Sequence, residues 1–223
     1  MDADPIITTN NEQPDLINQI QSNLPKAKSL PAIWEALEAL TSPDLMNRIA
    51  GLGRITELNG ACRYPLVIYV MVSRLAEPDI ELRMRIVKLL GNILGIDGHG
   101  PRKNALSYEA AKQTLISLLG SMRTRQIFAL LQVSEFDKTL EDSVSCLLGY
   151  CSFAGGHLAR ILSNRTAPLS IRRQAAHFIG QIGYLDALPA LERLAARLET
   201  RREEDDLGIL PGLQETIKLL YSP

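Results

Sequence analysis

Aromatic side chains are scarce in this chain of 223 residues: they make up 5% of it, and Trp34 is the single tryptophan. Leucine, isoleucine and alanine supply the apolar mass instead, within a hydrophobic fraction of 46%. Because β-sandwiches favour β-branched and aromatic residues, this balance argues against such a fold and favours packed helices. The length is sufficient for one large domain or for an extended array of repeats.

A surplus of basic residues is also missing, since 24 lysines and arginines face 25 aspartates and glutamates, for a formal net charge of −1. Dedicated nucleic-acid binders usually carry such a surplus, so the composition does not favour that class. The three cysteines, Cys62, Cys146 and Cys151, have no paired spacing. They are typical of reduced thiols in the core of a cytoplasmic protein rather than of a disulfide framework.

Targeting and membrane-spanning patterns are lacking as well. The first residues are acidic and do not show the basic start and apolar run of a secretory signal peptide. The longest strongly apolar run, 65–72, is about a third of the length that spans a bilayer. We therefore expect a cytoplasmic protein without membrane insertion.

Compact catalytic and cofactor motifs are absent from the sequence. It holds no glycine-rich dinucleotide fingerprint, no phosphate loop and no nucleophile elbow. The histidines His99, His157 and His177 are far apart, and no Cys-x-x-Cys or His-x-x-x-His pair could complete a metal site with Cys151. We therefore predict no catalytic residue, no metal and no cofactor.

Proline and aspartate punctuate a run of short amphipathic helices. Residues 1–14 are polar and aperiodic, and we expect them to form a flexible tail. After them, apolar residues recur with a period of 3.6, and prolines and aspartates mark the helix starts. We predict a largely helical chain without sheet, with helices at about 30–40, 45–58, 65–76, 80–95, 107–121, 123–133, 137–152, 156–163, 169–183, 186–199 and 211–221.

An internal repeat emerges when four segments are aligned on Arg48, Arg83, Glu141 and Arg172. An aspartate stands four residues earlier in three of these segments, and a glycine stands eight residues later in three of them. The positions three, seven and ten residues after the aligned one are mostly apolar, which predicts the core face of each helix. On this alignment, Ile86 and Ile179 are buried between repeats.

The aligned segments resemble the second helix of HEAT repeats (HEAT-like or PBS-lyase-type), whose pattern is Asp-Pro-Asp, then an apolar residue and Arg, then Leu-Gly-x-Ile. The match is good in 77–93 and 171–182, partial in 42–58 and weak in 137–151, and the resemblance covers roughly residues 30–200. It implies an all-α, armadillo-like fold: one α-solenoid of about five to six antiparallel helix pairs, extending over 15–223.

The resemblance also implies how neighbouring helices meet. Small residues in mid-helix, Gly51 and Ala175, let the two helices of a pair approach closely, and the aligned glycines do the same for the next repeat. In the family, the aligned arginine and an acidic residue about six positions earlier form a ladder between repeats. Glu77 and Glu135 occupy that acidic position here, whereas Ser42 and Thr166 do not.

The interval between the second and third aligned segments exceeds one repeat by about 25 residues. It contains a glycine-rich loop at 95–106 and an extra helix. A loop of this kind interrupts the solenoid and is a natural place for function. His99, Arg102 and Lys103 lie in it.

A further helix face is formed by the positions two, five and nine residues after the aligned one. This face is separate from the core face and mostly polar. In the family that this chain resembles, second helices line the concave side, so stacking would join these positions into a stripe. A solvated face is the simpler interpretation of such a stripe. From the stripe and its surroundings we predict partner-binding residues, with the loop residues His99, Arg102 and Lys103 at the rim: Arg85, Lys88, Asn92, Tyr150, Arg173, His177 and Gln181.

The function that this sequence favours is a non-catalytic scaffold or adaptor. Because the predicted stripe is mildly cationic, we expect a protein partner with an acidic surface, and not nucleic acid. Two alternatives remain open: a HEAT-type enzyme subunit, such as a phycobilin-lyase-like chromophore-handling protein, and a nucleic-acid-binding scaffold.

Overall fold

Helices dominate the protein. A computed structural model describes residues 30–58, 60–96, 105–201 and 208–222. Helices make up 83% of the described residues, and none of these residues lies in a strand. The prediction of an all-α protein is therefore confirmed for this part of the chain.

Eleven α-helices follow one another in the described ranges, and each predicted helix has a counterpart within a few residues. The largest difference is at 137–152, where a 3₁₀ turn at Lys138–Leu140 precedes a shorter helix. Other 3₁₀ turns lie at Ala61–Arg63, Arg74–Ala76 and Leu185–Ala187. The α-helices are α1 (Leu30–Thr41), α2 (Leu45–Glu57), α3 (Pro65–Ser73), α4 (Ile80–Leu94), α5 (Ala105–Leu119), α6 (Thr124–Phe136), α7 (Glu141–Gly149), α8 (Ala154–Ser163), α9 (Leu169–Ile182), α10 (Leu188–Arg201) and α11 (Leu210–Tyr221).

Local capping explains where these helices begin and end. The Asp44 carboxylate accepts the backbone N–H of Asn47 at 2.9 Å and begins α2, and Asp79 begins α4 in the same way through Leu82 at 2.8 Å. Gly95 ends α4 in the left-handed conformation, with φ of 89°. Such a φ is unstrained for glycine alone, so the chain turns sharply there.

The helices pack in a regular order. Successive helices contact each other as pairs: α1 with α2, α3 with α4, α6 with α7, α8 with α9, and α10 with α11. The second helices of these pairs contact one another in chain order, α2 with α4, α4 with α7, α7 with α9 and α9 with α11. The additional helix α5 packs against α3 and α4.

The core lies between the helices of the pairs and between neighbouring pairs. Ile86, Leu90, Val144, Leu148 and Ile179 are each fully buried. The predicted burial of Ile86 and Ile179 is thus confirmed. Burying an aliphatic side chain of this size stabilises the fold by roughly 1.5–3 kcal/mol, so this repeated set of positions supplies much of the cohesion between pairs.

Small residues bring second helices of neighbouring pairs close together, as predicted. A Cβ added to Gly91 of α4 would lie 2.6 Å from the Ser143 hydroxyl oxygen of α7. A Cβ added to Gly180 of α9 would lie 3.3 Å from a methyl group of Thr216 in α11. Gly149, the aligned glycine of the third segment, has nothing within 4 Å of such a Cβ and makes no close approach.

One rung of the expected ladder joins the first two pairs. Arg48 of α2 forms a 2.8 Å ion pair with Glu77, whose side chain is fully buried just before α4. Arg83 of α4 reaches the next pair, where it donates to the side-chain oxygen of Gln132 at 2.7 Å. Glu135, the second predicted acidic position, is exposed, and Gln132 accepts from Arg83 instead.

Parts of the predicted organisation fall outside the described residues. The tail at 1–14 is one of them, and so is most of the loop at 95–106, of which Gly95 and Ile96 follow α4 and α5 begins at Ala105. Within the described ranges, none of the helices combines the length and the apolar character that crossing a bilayer requires.

Candidate functional site

The seven predicted partner-binding residues lie on or beside the second helices of three consecutive pairs. Six of them are exposed, and Tyr150 is half-buried against the core. We call this surface the second-helix stripe; it comprises Arg85, Lys88 and Asn92 on α4, Tyr150 directly after α7, and Arg173, His177 and Gln181 on α9.

A groove at one end of the stripe separates α2 from α4. We call it the α2/α4 groove, and its volume is about 220 Å³. Arg85, Lys88 and Asn92 line one side, and Gly53 and Thr56 line the other. A Cβ added to Gly53 would meet nothing within 4 Å, so the α2 side of the groove is open. Two cations beside an open wall provide a place for an acidic group of a partner.

A second groove, about 330 Å³ in volume, lies at the other end of the stripe between α9 and α11. Arg173, His177 and Gln181 line it from α9, and Glu215 and Leu219 line it from α11. The Arg173 Nε donates to the backbone oxygen of Gly208 at 3.0 Å, which ties the start of α11 to α9. This α9/α11 groove therefore combines an anchored cation, the Glu215 carboxylate and a largely apolar surface.

An ion pair that the sequence analysis missed links the α7 and α9 parts of the stripe. His177 Nε2 lies 2.6 Å from Glu141 Oε1, and Lys138 Nζ lies 3.5 Å from the other carboxylate oxygen. Burial alone would raise the pKa of Glu141, but the hydrogen bond from His177 and the charges of His177 and Lys138 outweigh it and hold this pKa below its usual value.

A second carboxylate, Asp137, faces Lys88 at the start of the same turn. Hydrogen bonds from the hydroxyl and backbone N–H of Thr139 hold the pKa of Asp137 below its usual value, and the charge of Lys88 acts in the same direction. The centre of the stripe thus carries two carboxylates, Asp137 and Glu141. The stripe that the sequence predicted to be mildly cationic therefore has carboxylates beside its cations, with Asp137 near Lys88, Glu141 at His177 and Glu215 in the α9/α11 groove.

The periodic pattern could not predict which polar positions of the stripe become buried. Ser143 has the same offset as Arg85 and Gln174, yet it is buried because it lies against Gly91 of the neighbouring second helix. Glu141 was visible in the sequence as the one aligned position without arginine, which is the signal that could have identified it. The predicted rim residues His99, Arg102 and Lys103 lie outside the described residues.

Groups with chemical reactivity are dispersed in the described part of the chain. Burial raises the pKa of each of the three thiols, Cys62, Cys146 and Cys151, so the thiolate form is disfavoured. Nowhere in the described ranges do three histidine, cysteine, aspartate or glutamate side chains come together as metal ligands. What the stripe offers is a surface of charges and hydrogen-bonding groups flanked by two shallow grooves.

Comparison with known proteins adds no family to this description. No model of a known protein family matches the chain, and no curated protein matches it either. The features that bear on function are therefore the packing order of the helices and the chemistry of the stripe.

Proposed function

We propose that this protein is a non-catalytic scaffold of the HEAT-repeat type that binds a protein partner along the second-helix stripe. In this proposal the helix pairs are antiparallel and form an α-solenoid of five to six repeats, with the stripe on its concave side. The partner presents an acidic surface, and binding takes place in the cytoplasm. The observation that carries the proposal is the order of packing, in which second helices of successive pairs contact one another. This packing leaves the stripe face exposed on α4 and α9 and partly buried on α7.

Three features of the packing support the solenoid. Two offsets are buried in all four aligned helices: three residues after the aligned position, at Gly51, Ile86, Val144 and Ala175, and seven residues after it, at Ile55, Leu90, Leu148 and Ile179. Glycine allows close approach between second helices at Gly91 and Gly180. The Arg48–Glu77 ion pair joins one helix pair to the next. Contacts that recur between neighbours in this way are typical of repeat proteins, whose extended concave surfaces bind other macromolecules.

The exposed cations of the stripe support an acidic partner. Asp137 and Glu141 already compensate the cations at the centre of the stripe. Arg85 and Lys88 are both exposed beside the α2/α4 groove, and Asp137 lies near Lys88. The acidic groups of the partner therefore meet Arg85 and Lys88, and association weakens as salt screens the attraction.

Charge reversal in the α2/α4 groove tests the proposal. A tagged full-length chain captures its partner from native lysate, and the purified partner is then titrated against wild-type protein and the Arg85→Glu/Lys88→Glu variant. We expect the variant to bind at least about tenfold more weakly, which corresponds to about 1.4 kcal/mol. Its melting temperature should fall only slightly, because Lys88→Glu also places a negative charge near Asp137. Affinity of the wild type should also fall with rising salt concentration.

The matched control reverses two exposed arginines on first helices, Arg160→Glu in α8 and Arg193→Glu in α10. It introduces the same charge change away from the stripe and should bind like the wild type. If the control loses as much affinity as the stripe variant, or if the stripe variant binds normally, the stripe is not the interface. Recovery of nucleic acid or of a bound tetrapyrrole in place of a protein would contradict the proposed class of partner.

A further inference from the structure

An apolar groove lies at the beginning of the described fold, away from the second-helix stripe. It runs between α1 and α3 and has a volume of about 540 Å³. We call it the α1/α3 groove. Trp34 is 57% exposed and Leu66 is 47% exposed at its surface. Its lining is almost entirely apolar and consists of Leu30, Pro31, Ile33, Trp34, Glu35, Leu37, Tyr64 and Leu66.

The exposed apolar surface continues from this groove along α3. This helix carries no charged residue, and its sequence is apolar on all sides. A helix of that kind is expected to be buried. Tyr69, one turn after Leu66 on the same face, is nevertheless 58% exposed. A contiguous apolar surface of this kind marks a place where another chain segment packs.

The chain itself supplies a segment that matches this surface. Pro14-Asp15-Leu16 has the same form as the helix starts Pro43-Asp44-Leu45 and Pro78-Asp79-Ile80, whose aspartates cap α2 and α4. Leu16, Ile17, Ile20 and Leu24 follow, and at helical spacing these four side chains fall within an arc of about 100°. Residues 16–24 include no charged side chain, and Pro25 marks the end of the pattern.

The connection between this segment and the groove has a suitable length. Residues 25–29 join the segment to Leu30, the first residue of α1, which itself lines the groove. Five residues are within the usual length of a connection between packed helices, about 2–8 residues. A nine-residue helix is about 14 Å long, so it can lie along the 12 residues of α1 without leaving the groove.

We propose that residues 16–24 of this chain dock as an amphipathic helix in the α1/α3 groove and cover Trp34. Leu16, Ile20 and Leu24 then pack against Trp34 and Leu66. The apolar surface of the α1/α3 groove is thereby removed from water. The docked segment presents its polar side to water. This interaction is independent of the partner proposed for the second-helix stripe.

Trp34 provides a specific probe because it is the only tryptophan in the chain. Its emission maximum and its quenching by acrylamide are measured in three full-length proteins: wild type, Leu16→Asp/Ile20→Asp, and the control Ile6→Asp/Ile7→Asp. The control introduces the same two charges outside the proposed segment. We expect the Leu16→Asp/Ile20→Asp variant to show red-shifted emission and a quenching constant raised roughly threefold, because the indole becomes accessible to the quencher. The control should match the wild type.

Two other outcomes would overturn the proposal. Equal quenching in all three proteins would mean that the segment does not cover Trp34. Shielding that disappears on dilution over about a hundredfold range of concentration would mean that a second copy occupies the groove, since only an intermolecular contact depends on concentration.

Hydrogen exchange gives a second test that leaves the segment intact. Leu66→Asp changes only the groove, and Leu185→Asp makes the same substitution at an exposed leucine elsewhere. Amides of residues 16–24 should be protected in the wild type and in Leu185→Asp, and should lose protection in Leu66→Asp. A segment that is unprotected in the wild type, or equally protected in both variants, contradicts the proposal.

Discussion

Gly51 of α2 lies directly against the backbone of α1 at Leu40. A Cβ added to Gly51 would clash with the amide nitrogen of Leu40 and would lie 2.7 Å from the carbonyl oxygen of Ala36. Backbone atoms of a helix cannot move aside as a flexible side chain can. The first helix pair therefore depends on the absence of a side chain at this position.

We predict that Gly51→Ala destabilises the protein, by about 1–3 kcal/mol, because the added methyl group forces α1 and α2 apart. This loss exceeds the gain of up to about 1 kcal/mol that alanine brings to a helix interior. Gly53→Ala is the matched control, since it lies in the same helix with nothing within 4 Å of the added Cβ. Urea denaturation should show opposite signs for the two variants, and destabilisation of similar size in both would contradict the close approach.

Truncation of the two buried isoleucines tests the repeat alignment. Ile86→Ala and Ile179→Ala should each lower the free energy of unfolding by about 2–5 kcal/mol, since both side chains are fully buried and leave a cavity. Met46, which is 70% exposed on α2, provides the control, and Met46→Ala should change stability by less than about 0.5 kcal/mol. Losses below about 1 kcal/mol at either isoleucine would show that the aligned positions are not core positions.

Removing the buried carboxylate of Glu77 should strongly destabilise the protein. Glu77→Ala leaves the guanidinium of Arg48 without its ionic partner at a site where the Glu77 side chain is 0% exposed. We expect a loss near the lower end of about 3–5 kcal/mol, because Arg48 keeps hydrogen bonds to the backbone oxygens of Ser42 and Pro43.

Glu135 supplies the control for this experiment, because it occupies the aligned position one repeat later and is exposed. Glu135→Ala should change the free energy of unfolding by less than about 0.5 kcal/mol. Chemical denaturation of both variants measures the difference. Equal effects at the two positions would mean that the Arg48–Glu77 ion pair contributes nothing specific.

The Glu141–His177 ion pair should make stability depend on pH. Because the pKa of Glu141 is held below its usual value, its contribution is fully present above the ordinary glutamate pKa of about 4.3 and is lost as pH falls through the lowered value in the folded state. Glu141→Gln should therefore lower the free energy of unfolding by about 0.5–1 kcal/mol near pH 5.5. The difference in stability between the variant and the wild type should become smaller toward pH 3.

Thermal unfolding of both proteins at several pH values checks this expectation. Glu57→Gln, at an exposed carboxylate on α2, is the matched substitution. If the difference in stability between wild type and Glu141→Gln stays constant with pH, then Glu141 is not stabilised by His177. The same conclusion follows if Glu57→Gln changes stability in the same way as Glu141→Gln.

Helix positions were largely predictable because the signals for them are local. Asp44 and Asp79 cap helices through backbone amides three residues away, and Gly95 ends α4 through its own backbone conformation. The core face followed from the spacing of apolar residues, which is why the burial of Ile86 and Ile179 was foreseen. The weak third segment was the least accurate, since a 3₁₀ turn at Lys138–Leu140 takes the place of the first turn of the predicted helix.

Contacts between helix pairs were less predictable. The periodic pattern assigned Ser143 and Arg85 to the same polar helix face, yet Ser143 is buried against Gly91. The expected ladder between repeats predicted Glu135 as the acidic residue of the third segment, whereas Arg83 binds Gln132. Each difference arises because the angle and the offset at which one pair packs on the next decide which side chains meet, and neither quantity is encoded in the periodicity of a single helix.

By itself, the sequence determined that this chain is helical, where its helices begin, and which face of each aligned helix is buried. Capping residues and apolar spacing act within a few residues, so these features can be derived from one sequence. Only the tertiary structure decided that Glu141 meets His177 across 36 residues, that Asp137 lies near Lys88, and that Trp34 borders an open apolar groove. These relationships depend on how close two helices can approach, and that distance is set by particular contacts, such as those of Gly91 and Gly180, between segments distant in the chain.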